Sequence, residues 1–404
     1  MTSSELYHVF GLVGYQTKAT RFEGGKVILE VESTRPPRCS NCRSADVLKR
    51  GCSSREFQAL PVGTKQVLIR LDVQRLECRK CGLVRLVKTG FAAPRRHHIK
   101  RLAAYVLSLL RCATIKDVAA LAGLSWDVVK DIQKRHLTRR YSRPRLGKVR
   151  RIAIDEISIG KHHRYLTVVL NLDTGRVLFV GDGKGSDALK PFWRRVRRSK
   201  GCTIKSVAID MSTAYISAVT NNLPEARIVF DRFHIVKLCN EMLTRLRRAL
   251  YREATDLRHK EVLKGTRWLV LKNPENIDRL RDEGRRLQEA LELNAPLAKA
   301  YYMKDELRQL WAMPNKESAE RFLAGWIARA EASGIGRLKK FAHTLAAHRT
   351  GILAWYDDPI STGPLEGTNN KIKTMKRQAY GFRDIEFLKL RIMGLHETKY
   401  ALVG

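Results

Sequence analysis

The fold of this chain is decided by the stretch Arg151-Ile152-Ala153-Ile154-Asp155-Glu156-Ile157-Ser158-Ile159. Apolar residues at positions 152, 154, 157 and 159 predict a buried β-strand, and the acidic pair lies where such a strand should carry no charge. An unpaired buried charge is strongly unfavourable, so the carboxylate of Asp155 needs a reason. Two interpretations stay open on this stretch alone. Either Asp155 ends the strand and faces water, or it holds a metal ion with partners from elsewhere in the chain.

Two further apolar runs follow this strand directly, from Tyr165 to Leu172 and from Val177 to Val180, with the turn Asp173-Thr174-Gly175 between them. This spacing predicts an antiparallel meander of three strands. Further on, two more buried strands, Ile204 to Asp210 and Arg227 to Asp231, each end in a carboxylate. Helical patterns precede them, at 186–199 and 213–221. The order predicts a mixed sheet with a parallel half.

Positive charge runs through the whole chain. Lys and Arg number 77 against 40 Asp and Glu, a formal net charge of +37, and residues 1–150 hold 31 of the basic and 11 of the acidic side chains. Such a surface attracts polyanions, above all nucleic acid. No apolar run approaches the length of a membrane helix, and the first residues lack a secretory signal. We therefore expect a cytoplasmic nucleic-acid-binding protein without a membrane partner, and interpret the basic helix at 186–199 as a solvated face.

The eight cysteines include two closely spaced pairs, Cys39-x-x-Cys42 and Cys78-x-x-Cys81. Such pairs in a chain without a secretory signal favour zinc over disulfides, because four thiolates can occupy the corners of a tetrahedron. The gap between the pairs is longer than usual, and a hairpin built from Val67 to Val73 is predicted to fill it. We expect one structural Zn²⁺, with reduced, unliganded thiols as the alternative. Cys52 is interpreted as a bystander.

A helix-turn-helix pattern occupies Ile115 to Ile132. The first helix carries apolar residues at helical spacing, which are Val118, Leu121 and Ala122. The turn is Gly123-Leu124-Ser125, in which Ser125 caps the second helix. The residues of the second helix that face inward are Val128, Val129 and Ile132. Any helical hairpin could share this pattern, but the basic residues on both sides favour docking in a DNA major groove. The residues predicted to bind DNA are Arg95, Arg96, Lys100, Arg101, Ser125, Lys130, Lys134, Arg135, Arg139 and Arg140.

From about residue 235 to 350, apolar residues recur at steps of three and four. This periodicity predicts an all-helical block. A separate C-terminal helical domain is the alternative, but it would leave the sheet without a closing helix. Pro364 to Arg377 and Ile385 to His396 have the pattern of the missing helices, so we predict that the helical block is an insertion.

Three carboxylates stand at special places in this pattern. Asp155 lies inside a strand, Asp210 lies at a strand end, and Glu366 lies in the first turn of a helix that Gly363-Pro364 opens. Adjacent strand ends and a helix beside them can bring three such oxygens into one cluster. Hard oxygen ligands suit Mg²⁺ or Mn²⁺. Two such ions, bridged by one Asp, would activate a water or hydroxyl on one side of a phosphodiester and stabilise the leaving oxygen on the other.

Four motifs surround these carboxylates in chain order: Ala153-Ile154-Asp155-Glu156, Ala208-Ile209-Asp210-Met211-Ser212, Leu365-Glu366-Gly367-Thr368-Asn369-Asn370-Lys371-Ile372-Lys373 and Tyr380-Gly381-Phe382-Arg383. With them, nearly the whole chain resembles the bacterial insertion-sequence transposases that carry a DDE site on a ribonuclease H-like fold. More narrowly, it resembles the ISL-three class, which begins with a zinc-ribbon motif and a helix-turn-helix. The resemblance implies that Asp155, Asp210 and Glu366 form the metal-binding catalytic triad.

The resemblance also implies roles for three further residues. Family members with a helical insertion carry a strand-end Asp or Cys followed by x-x-His, here Asp231-Arg232-Phe233-His234. Lys373 matches a basic residue that the family places against the phosphate or target strand. We therefore expect Asp231, His234 and Lys373 at the catalytic site, with a helix-capping or core histidine as the alternative for His234.

The fold class that follows is multidomain α/β. The resemblance implies a zinc-ribbon domain at 1–95, a helix-turn-helix DNA-binding domain at 96–148, a ribonuclease H-like mixed-sheet core at 149–235 and 351–404, and an all-helical insertion at 236–350. It also implies cleavage at transposon terminal inverted repeats and transfer into target DNA, with two Mg²⁺ or Mn²⁺ ions and one Zn²⁺ as cofactors. The expected partners are transposon ends and target DNA, with a homodimer or higher homo-oligomer when ends are paired, at the bacterial nucleoid.

Two other functions stay open: a transposase-derived DNA-binding regulator without catalysis, and a ribonuclease H-like nuclease without strand transfer. The intact set of Asp155, Asp210 and Glu366 argues against the first. The nuclease would use the same site. Glu156 and Asp173 are interpreted as turn or solvent carboxylates, and His162-His163 as loop residues near DNA.

Overall fold

The computed structural model describes residues 2–160, 164–278 and 280–397, and these residues form two compact units. Unit 1 contains the described residues up to Ser142 together with Arg377–Leu390 and Glu397. Unit 2 contains Arg143–Lys376 together with Arg391–His396. The four domain boundaries predicted from the sequence stay predictions. Within the described ranges, no helix is long and apolar enough to cross a membrane.

Unit 1 is built on a five-stranded sheet. After a short helix α1 (Ser3–Glu5), its strands are β1 (Tyr15–Glu23), β2 (Lys26–Ser33), β3 (Val47–Gln58), β4 (Val67–Cys78) and β5 (Val84–Leu86). The strand order is β1-β2-β4-β3, and β5 pairs with β4. β3 and β4 are antiparallel, and their register runs from Gln58 opposite Leu68 to Val47 opposite Cys78. The gap between the two cysteine pairs therefore holds a longer hairpin than the one predicted from Val67 to Val73.

Three helices follow this sheet in the chain: α2 (Lys100–Leu109), α3 (Ile115–Ala122) and α4 (Trp126–Tyr141). Gly123 is the C-cap of α3, and its φ of 62° allows the turn. Ser125 is the N-cap of α4. Oγ of Ser125 accepts a hydrogen bond from the backbone N–H of Val128 at 3.3 Å, as the predicted cap requires. The predicted pair of helices and its turn are confirmed.

The hydrophobic core of unit 1 joins the helix-turn-helix to the sheet. Val118 of α3 and Val129 of α4 are fully buried in one cluster with Phe57 of β3, and Leu124 packs against that cluster. Leu121 is an exception among the apolar residues of α3, because 64% of its surface is exposed. Leu121 lies three residues after Val118 and one residue before the buried Ala122, just outside the inward stripe of a short helix.

Unit 2 is built on a second five-stranded sheet. Its strands are β6 (Arg151–Gly160), β7 (Arg164–Asn171), β8 (Val177–Asp182), β9 (Ser206–Ile209) and β10 (Arg227–Phe230). The order is β10-β9-β6-β7-β8, in which β6, β7 and β8 form the antiparallel meander. β9 lies parallel to both β6 and β10. The predicted mixed sheet of a multidomain α/β chain is confirmed.

Helices connect the later strands of this sheet and follow its last strand along the chain. α5 (Ser186–Arg198) follows β8, and α6 (Thr213–Asn222) follows β9. The chain after β10 is helical wherever it is regular in the described residues, with α7 (Arg232–Glu253), α8 (Leu257–Gly265), α9 (Glu283–Glu292), α10 (Ala295–Leu307), α11 (Lys316–Glu331), α12 (Gly336–Ala347), α13 (Arg349–Leu353), α14 (Gly363–Gln378) and α15 (Ile385–Met393). One core runs from sheet residues such as Ile154 to residues of the later helices such as Trp326 of α11.

Candidate functional site

Three aspartates lie within or directly after three neighbouring strands of unit 2. β6 pairs with β9, and β9 pairs with β10, all in parallel. If the two registers are continued by one or two residues, Asp155, Asp210 and Asp231 fall in one row. Residues of one row in a parallel sheet project to the same face. The sheet itself therefore groups the first two predicted catalytic carboxylates with Asp231.

Asp155 lies inside β6, so the interpretation that it ends the strand is wrong. Its side chain is half-buried and has specific partners: the backbone N–H of Glu156 donates to one carboxylate oxygen at 2.8 Å, and Nδ2 of Asn369 donates to the other at 2.9 Å. Burial raises the pKa of the Asp155 carboxyl above its usual range, and the carboxylate of Asp210 acts in the same direction. The Glu156 N–H and His234 act in the opposite direction.

Asn369 connects Asp155 to the helix that carries Glu366. Glu366 lies in the first turn of α14 and is exposed, and Asn369 lies three residues later, about one turn further along the helix. Asn369 is 6% exposed, and its Oδ1 atom has no hydrogen-bond partner within the described structure. The contact brings β6 and α14 together across 214 positions of sequence.

Asp231 is buried and holds the segment that begins α14. Its carboxylate accepts hydrogen bonds from Oγ1 of Thr362 at 2.7 Å and from the backbone N–H of Thr362 at 3.4 Å. The carbonyl of Thr362 in turn accepts from the backbone N–H of Glu366 at 2.8 Å. Asp231 thus positions Glu366 through Thr362.

The other predicted residues of the catalytic region have different surroundings. His234 is half-buried in the first turn of α7 and interacts electrostatically with Asp155. Lys373 is exposed on α14. Glu156 is neither a turn nor a fully solvated residue, because it lies within β6, half-buried, and accepts a hydrogen bond from the hydroxyl of Tyr215 at 3.0 Å. Asp173 is a turn residue paired with Arg151 at 2.7 Å, while His162-His163 lie outside the described residues.

The donor set around Asp155 fits a hard divalent cation. Carboxylate oxygens of Asp155, Asp210 and Glu366 and the unpartnered amide oxygen of Asn369 are the ligand types that Mg²⁺ and Mn²⁺ prefer. The carboxylates are not drawn into a tight cluster. Among the described residues, the one group of three or more His, Cys, Asp or Glu whose ligand atoms all lie within 4.8 Å of one another is a group of cysteines.

That cysteine group consists of all four residues of the two CxxC pairs, Cys39, Cys42, Cys78 and Cys81. The Sγ atoms of Cys39 and Cys81 lie 3.7 Å apart, and those of Cys42 and Cys78 lie 3.4 Å apart. Backbone N–H groups of Cys42 and Asn41 lower the pKa of the Cys39 thiol to about 6, which favours the thiolate that binds a metal. Cys52 is exposed on β3, outside this group.

Two lysines predicted to bind DNA form ion pairs within unit 1. Nζ of Lys130 and Nζ of Lys134, both on α4, lie 3.1 Å and 2.8 Å from one carboxylate oxygen of Asp384. Lys134 and Lys130 hold the pKa of that carboxyl well below its usual range. The ammonium group of Lys130 also lies over the rings of Trp126 and Phe387. Asp384 therefore competes with any phosphate for this part of α4.

The remaining predicted DNA-binding residues have several kinds of surroundings. Arg96 and Arg135 both bind the carboxylate of Asp131, at 3.1 Å each. Lys100 and Arg101 donate to backbone carbonyls, those of Gly90 and His8 respectively. Arg95, Ser125, Arg139 and Arg140 are exposed, and the guanidinium of Arg140 lies over the ring of Tyr141.

The sequence did not predict the contacts that four residues make near these sites: Thr362, Asn369, Tyr215 and Asp384. Asn369 lies within a quoted motif, and its spacing of three from Glu366 was the available signal, since i and i+3 share a helix face. The others carry no comparable local signal. Their partners are distant in sequence, 250 positions in the case of Lys134 and Asp384.

Comparison with known proteins finds three family matches in chain order. Residues 35–81 match the zinc-finger of transposase IS204/IS1001/IS1096/IS1165, and residues 87–137 match the helix-turn-helix domain of transposase family ISL3. Residues 152–392 match the ISL3 family described as Transposase.

Two curated relatives cover most of the chain. The transposase for insertion sequence element IS1001 from Bordetella parapertussis is 34% identical over 88% of this chain and 87% of its own length. The transposase for insertion sequence element IS1557 from Mycobacterium tuberculosis is 30% identical over 91% of this chain and 87% of its own length.

Proposed function

The chain belongs to the ISL3 family of transposases, the ISL-three class, and we propose that it binds transposon terminal inverted repeats, cleaves DNA at them and joins the 3′-hydroxyl to target DNA. The observation that carries this proposal is the contact between Asp155 and Asn369. It places the helix of Glu366 against the strand of Asp155 across 214 positions of sequence. Asp155 thereby lies on β6, Asp210 directly follows the neighbouring strand β9, and Glu366 lies on α14, which contacts β6.

We assign the metal-binding role to Asp155, Asp210 and Glu366. Two Mg²⁺ or Mn²⁺ ions, when bound there, would supply Lewis-acid activation of the attacking oxygen and stabilise the leaving oxygen. The protein's own contribution is orientation. Asn369 holds one oxygen of Asp155, the N–H of Glu156 holds the other, and Asp231 fixes the start of α14 through Thr362.

The charged groups beside the triad bind and position DNA in this proposal. Lys373 is exposed on α14, seven residues after Glu366, and meets the reacting phosphate strand. His234 lies close enough to influence Asp155 electrostatically, which assigns it to the same site. Asp231, whose carboxylate is occupied by Thr362, is a positioning residue.

DNA ends are recognised by the helix-turn-helix in unit 1. Its second helix α4 presents Ser125, Lys130, Lys134, Arg135, Arg139 and Arg140, and the flanking residues Arg95, Arg96, Lys100 and Arg101 add positive charge. One Zn²⁺ held by Cys39, Cys42, Cys78 and Cys81 stabilises the ribbon at the end of the β3–β4 hairpin. Pairing of two ends requires at least a homodimer.

Isosteric substitutions test the catalytic assignment. Asp155→Asn, Asp210→Asn and Glu366→Gln each remove one charge and little volume, so folding and end binding should be retained. Cleavage and joining in Mg²⁺ should fall by at least about a hundredfold, because each carboxylate supports charge stabilisation in the transition state. The substrate is DNA carrying the inverted repeats that flank the coding region, and nicking and joining of pre-cut ends are measured separately.

Asp173→Asn is the matched control, because it changes a carboxylate of the same sheet at a turn. It should nick DNA like the unaltered protein. Full nicking by any one triad variant would remove that residue from the site, and full nicking by all three would refute the transposase mechanism. Nicking without joining would identify a nuclease, and end binding without nicking in the unaltered protein would identify a DNA-binding regulator.

A further inference from the structure

A positively charged cleft lies between α5 and α6 in unit 2. Its volume is about 660 Å³, and the residues that matter for its chemistry are Lys190, Trp193, Arg194, Arg197, Ser217 and Asn221. No carboxylate is among the residues that line it. We call it the α5–α6 cleft.

The cations of the cleft are regularly spaced on one helix face. Lys190, Arg194 and Arg197 occupy positions i, i+4 and i+7 of α5, so successive charges are separated by about 6 Å and about 4.5 Å along the helix axis. Arg194 is exposed and has no hydrogen-bond or ion-pair partner in the part of the chain that the structure describes. Lys190 pairs with Asp187 at 2.7 Å, but both side chains are mostly exposed, which makes that pair weak.

The opposite wall of the cleft supplies neutral polar groups from α6. Arg197 donates to Oδ1 of Asn222 at 2.7 Å, which ties α5 to α6 and holds the guanidinium at the cleft. Nδ2 of Asn221 donates to Oγ of Ser217 at 3.2 Å. These side chains add donors without adding negative charge, as an anion site requires.

One residue that lines the cleft, Trp193, also carries a buried donor without an acceptor. Trp193 lines the cleft while only 2% of its surface is exposed, and its Nε1–H has no hydrogen-bond partner in the described structure. Buried indole N–H groups normally have an acceptor.

The cleft lies on the face of the sheet opposite to the catalytic carboxylates. Asp155 and Glu156 are consecutive in β6, so their side chains project to opposite faces. Asp155 contacts Asn369 of α14, whereas Glu156 contacts Tyr215 of α6. A DNA strand whose scissile phosphate lies at Asp155 is therefore on the other face of the sheet, and its binding does not account for the positive charge of α5.

We propose that the α5–α6 cleft binds the phosphodiester backbone of a second DNA segment, independently of its sequence and apart from the segment held at the carboxylates. Successive phosphates of one strand are separated by a distance comparable with the spacing of the three cations. The inference rests on the proposed function for the identity of the polyanion. It assigns a binding role to a helix whose charges alone would suggest a solvated face.

The test is the salt dependence of binding to a duplex of random sequence, with the full chain. Lys190→Gln/Arg194→Gln removes two cations that make no buried contact. The slope of log K against log salt should fall in magnitude by about 2, and affinity at about 0.1 M salt should fall at least about tenfold. Arg194→Lys, which keeps the charge, should retain the slope of the unaltered protein. Thermal unfolding of each variant establishes that the fold is retained.

Arg198→Gln/Lys200→Gln is the matched control, since it removes the same charge from exposed residues that do not line the cleft. Its slope should change by less than about 0.5. Equal losses in the two double variants would show diffuse attraction and overturn the proposal, and so would an unchanged slope in the cleft variant. Binding is measured without cleavage, so the cleft can be supported when the catalytic proposal fails, and the reverse.

Discussion

The surroundings of Asp155 orient its carboxylate but do not favour its charged form. Its carboxylate is half-buried beside Asp210, and its two hydrogen-bond donors are neutral. Because burial raises the pKa of Asp155, the folded protein binds this proton more readily than the unfolded chain does. The residue therefore destabilises the metal-free fold at neutral pH, and this cost declines as pH falls through the folded-state pKa.

Asp155→Asn should raise the Tm of chelator-treated protein. An amide at this position carries no charge, and its N–H₂ can donate to the unpartnered Oδ1 of a rotated Asn369. The rotation exchanges one hydrogen bond for another, so the expected gain comes from the removal of the buried charge. A gain of about 1 kcal/mol corresponds to a Tm increase of about 2–4 °C in a unit of this size. Calorimetry at several pH values measures the effect, which should be largest at neutral pH and shrink towards acidic pH. A lower Tm at neutral pH would contradict this account of Asp155.

At the scale of elements, α4 is bound by the N-terminus of α15. Asp384 precedes α15, and its carboxylate accepts the backbone N–H of Phe387 at 2.9 Å while pairing with Lys130 and Lys134 of α4. One carboxylate thus caps one helix and neutralises part of another. Since its pKa is held below the usual range, this stabilisation is present above the unfolded-state pKa and is lost as pH falls through the folded-state pKa.

Asp384→Asn should destabilise unit 1 and strengthen DNA binding. The substitution removes both ion pairs, and it frees two lysines for phosphates, so affinity for DNA should rise by about three- to tenfold at low salt. Electrophoretic mobility shift and thermal unfolding measure the two effects. Glu386→Gln, an exposed neighbour on α15 paired with Lys389, should change neither. Weaker DNA binding by Asp384→Asn would show that the aspartate orders α4 for recognition instead of competing with DNA.

At the scale of the whole molecule, the two units have separate hydrophobic cores. The core of unit 1 combines the first sheet with the helix-turn-helix, and the core of unit 2 combines the second sheet with the helices that follow β10. The cysteine cluster belongs to unit 1 alone, at the end of the β3–β4 hairpin. Zinc bound there would cross-link residues before β3 to the end of β4.

Removal of zinc should therefore destabilise unit 1 selectively. Chelation, or Cys39→Ser, should lower the free energy of unfolding of unit 1 by several kcal/mol, because a structural zinc site contributes its binding free energy to folding. The transition of unit 2 should be unchanged in calorimetry, and elemental analysis should find about one Zn²⁺ per chain. Cys52→Ser is the control, since Cys52 is exposed and lies outside the cluster. A simultaneous loss of both transitions would contradict independent cores.

Local patterns in the sequence determined the elements. Apolar runs that end in a carboxylate predicted β9 and β10, and a three- and four-residue periodicity predicted the helices after β10. The Gly123 turn and the Ser125 cap were predictable because both depend on backbone conformation within four residues. The acidic residue inside β6 was visible for the same reason, as a violation of a local hydrophobic pattern.

Only the tertiary structure decided which of these residues meet. The contacts of Asn369 with Asp155, of Thr362 with Asp231 and of Asp384 with Lys134 of α4 join positions 131 to 250 residues apart. Hydrogen bonds and ion pairs require atoms within a few ångströms, and packing of whole elements sets those distances. The exposure of Leu121 has the same cause, since the neighbours of a short helix decide which of its apolar residues is buried.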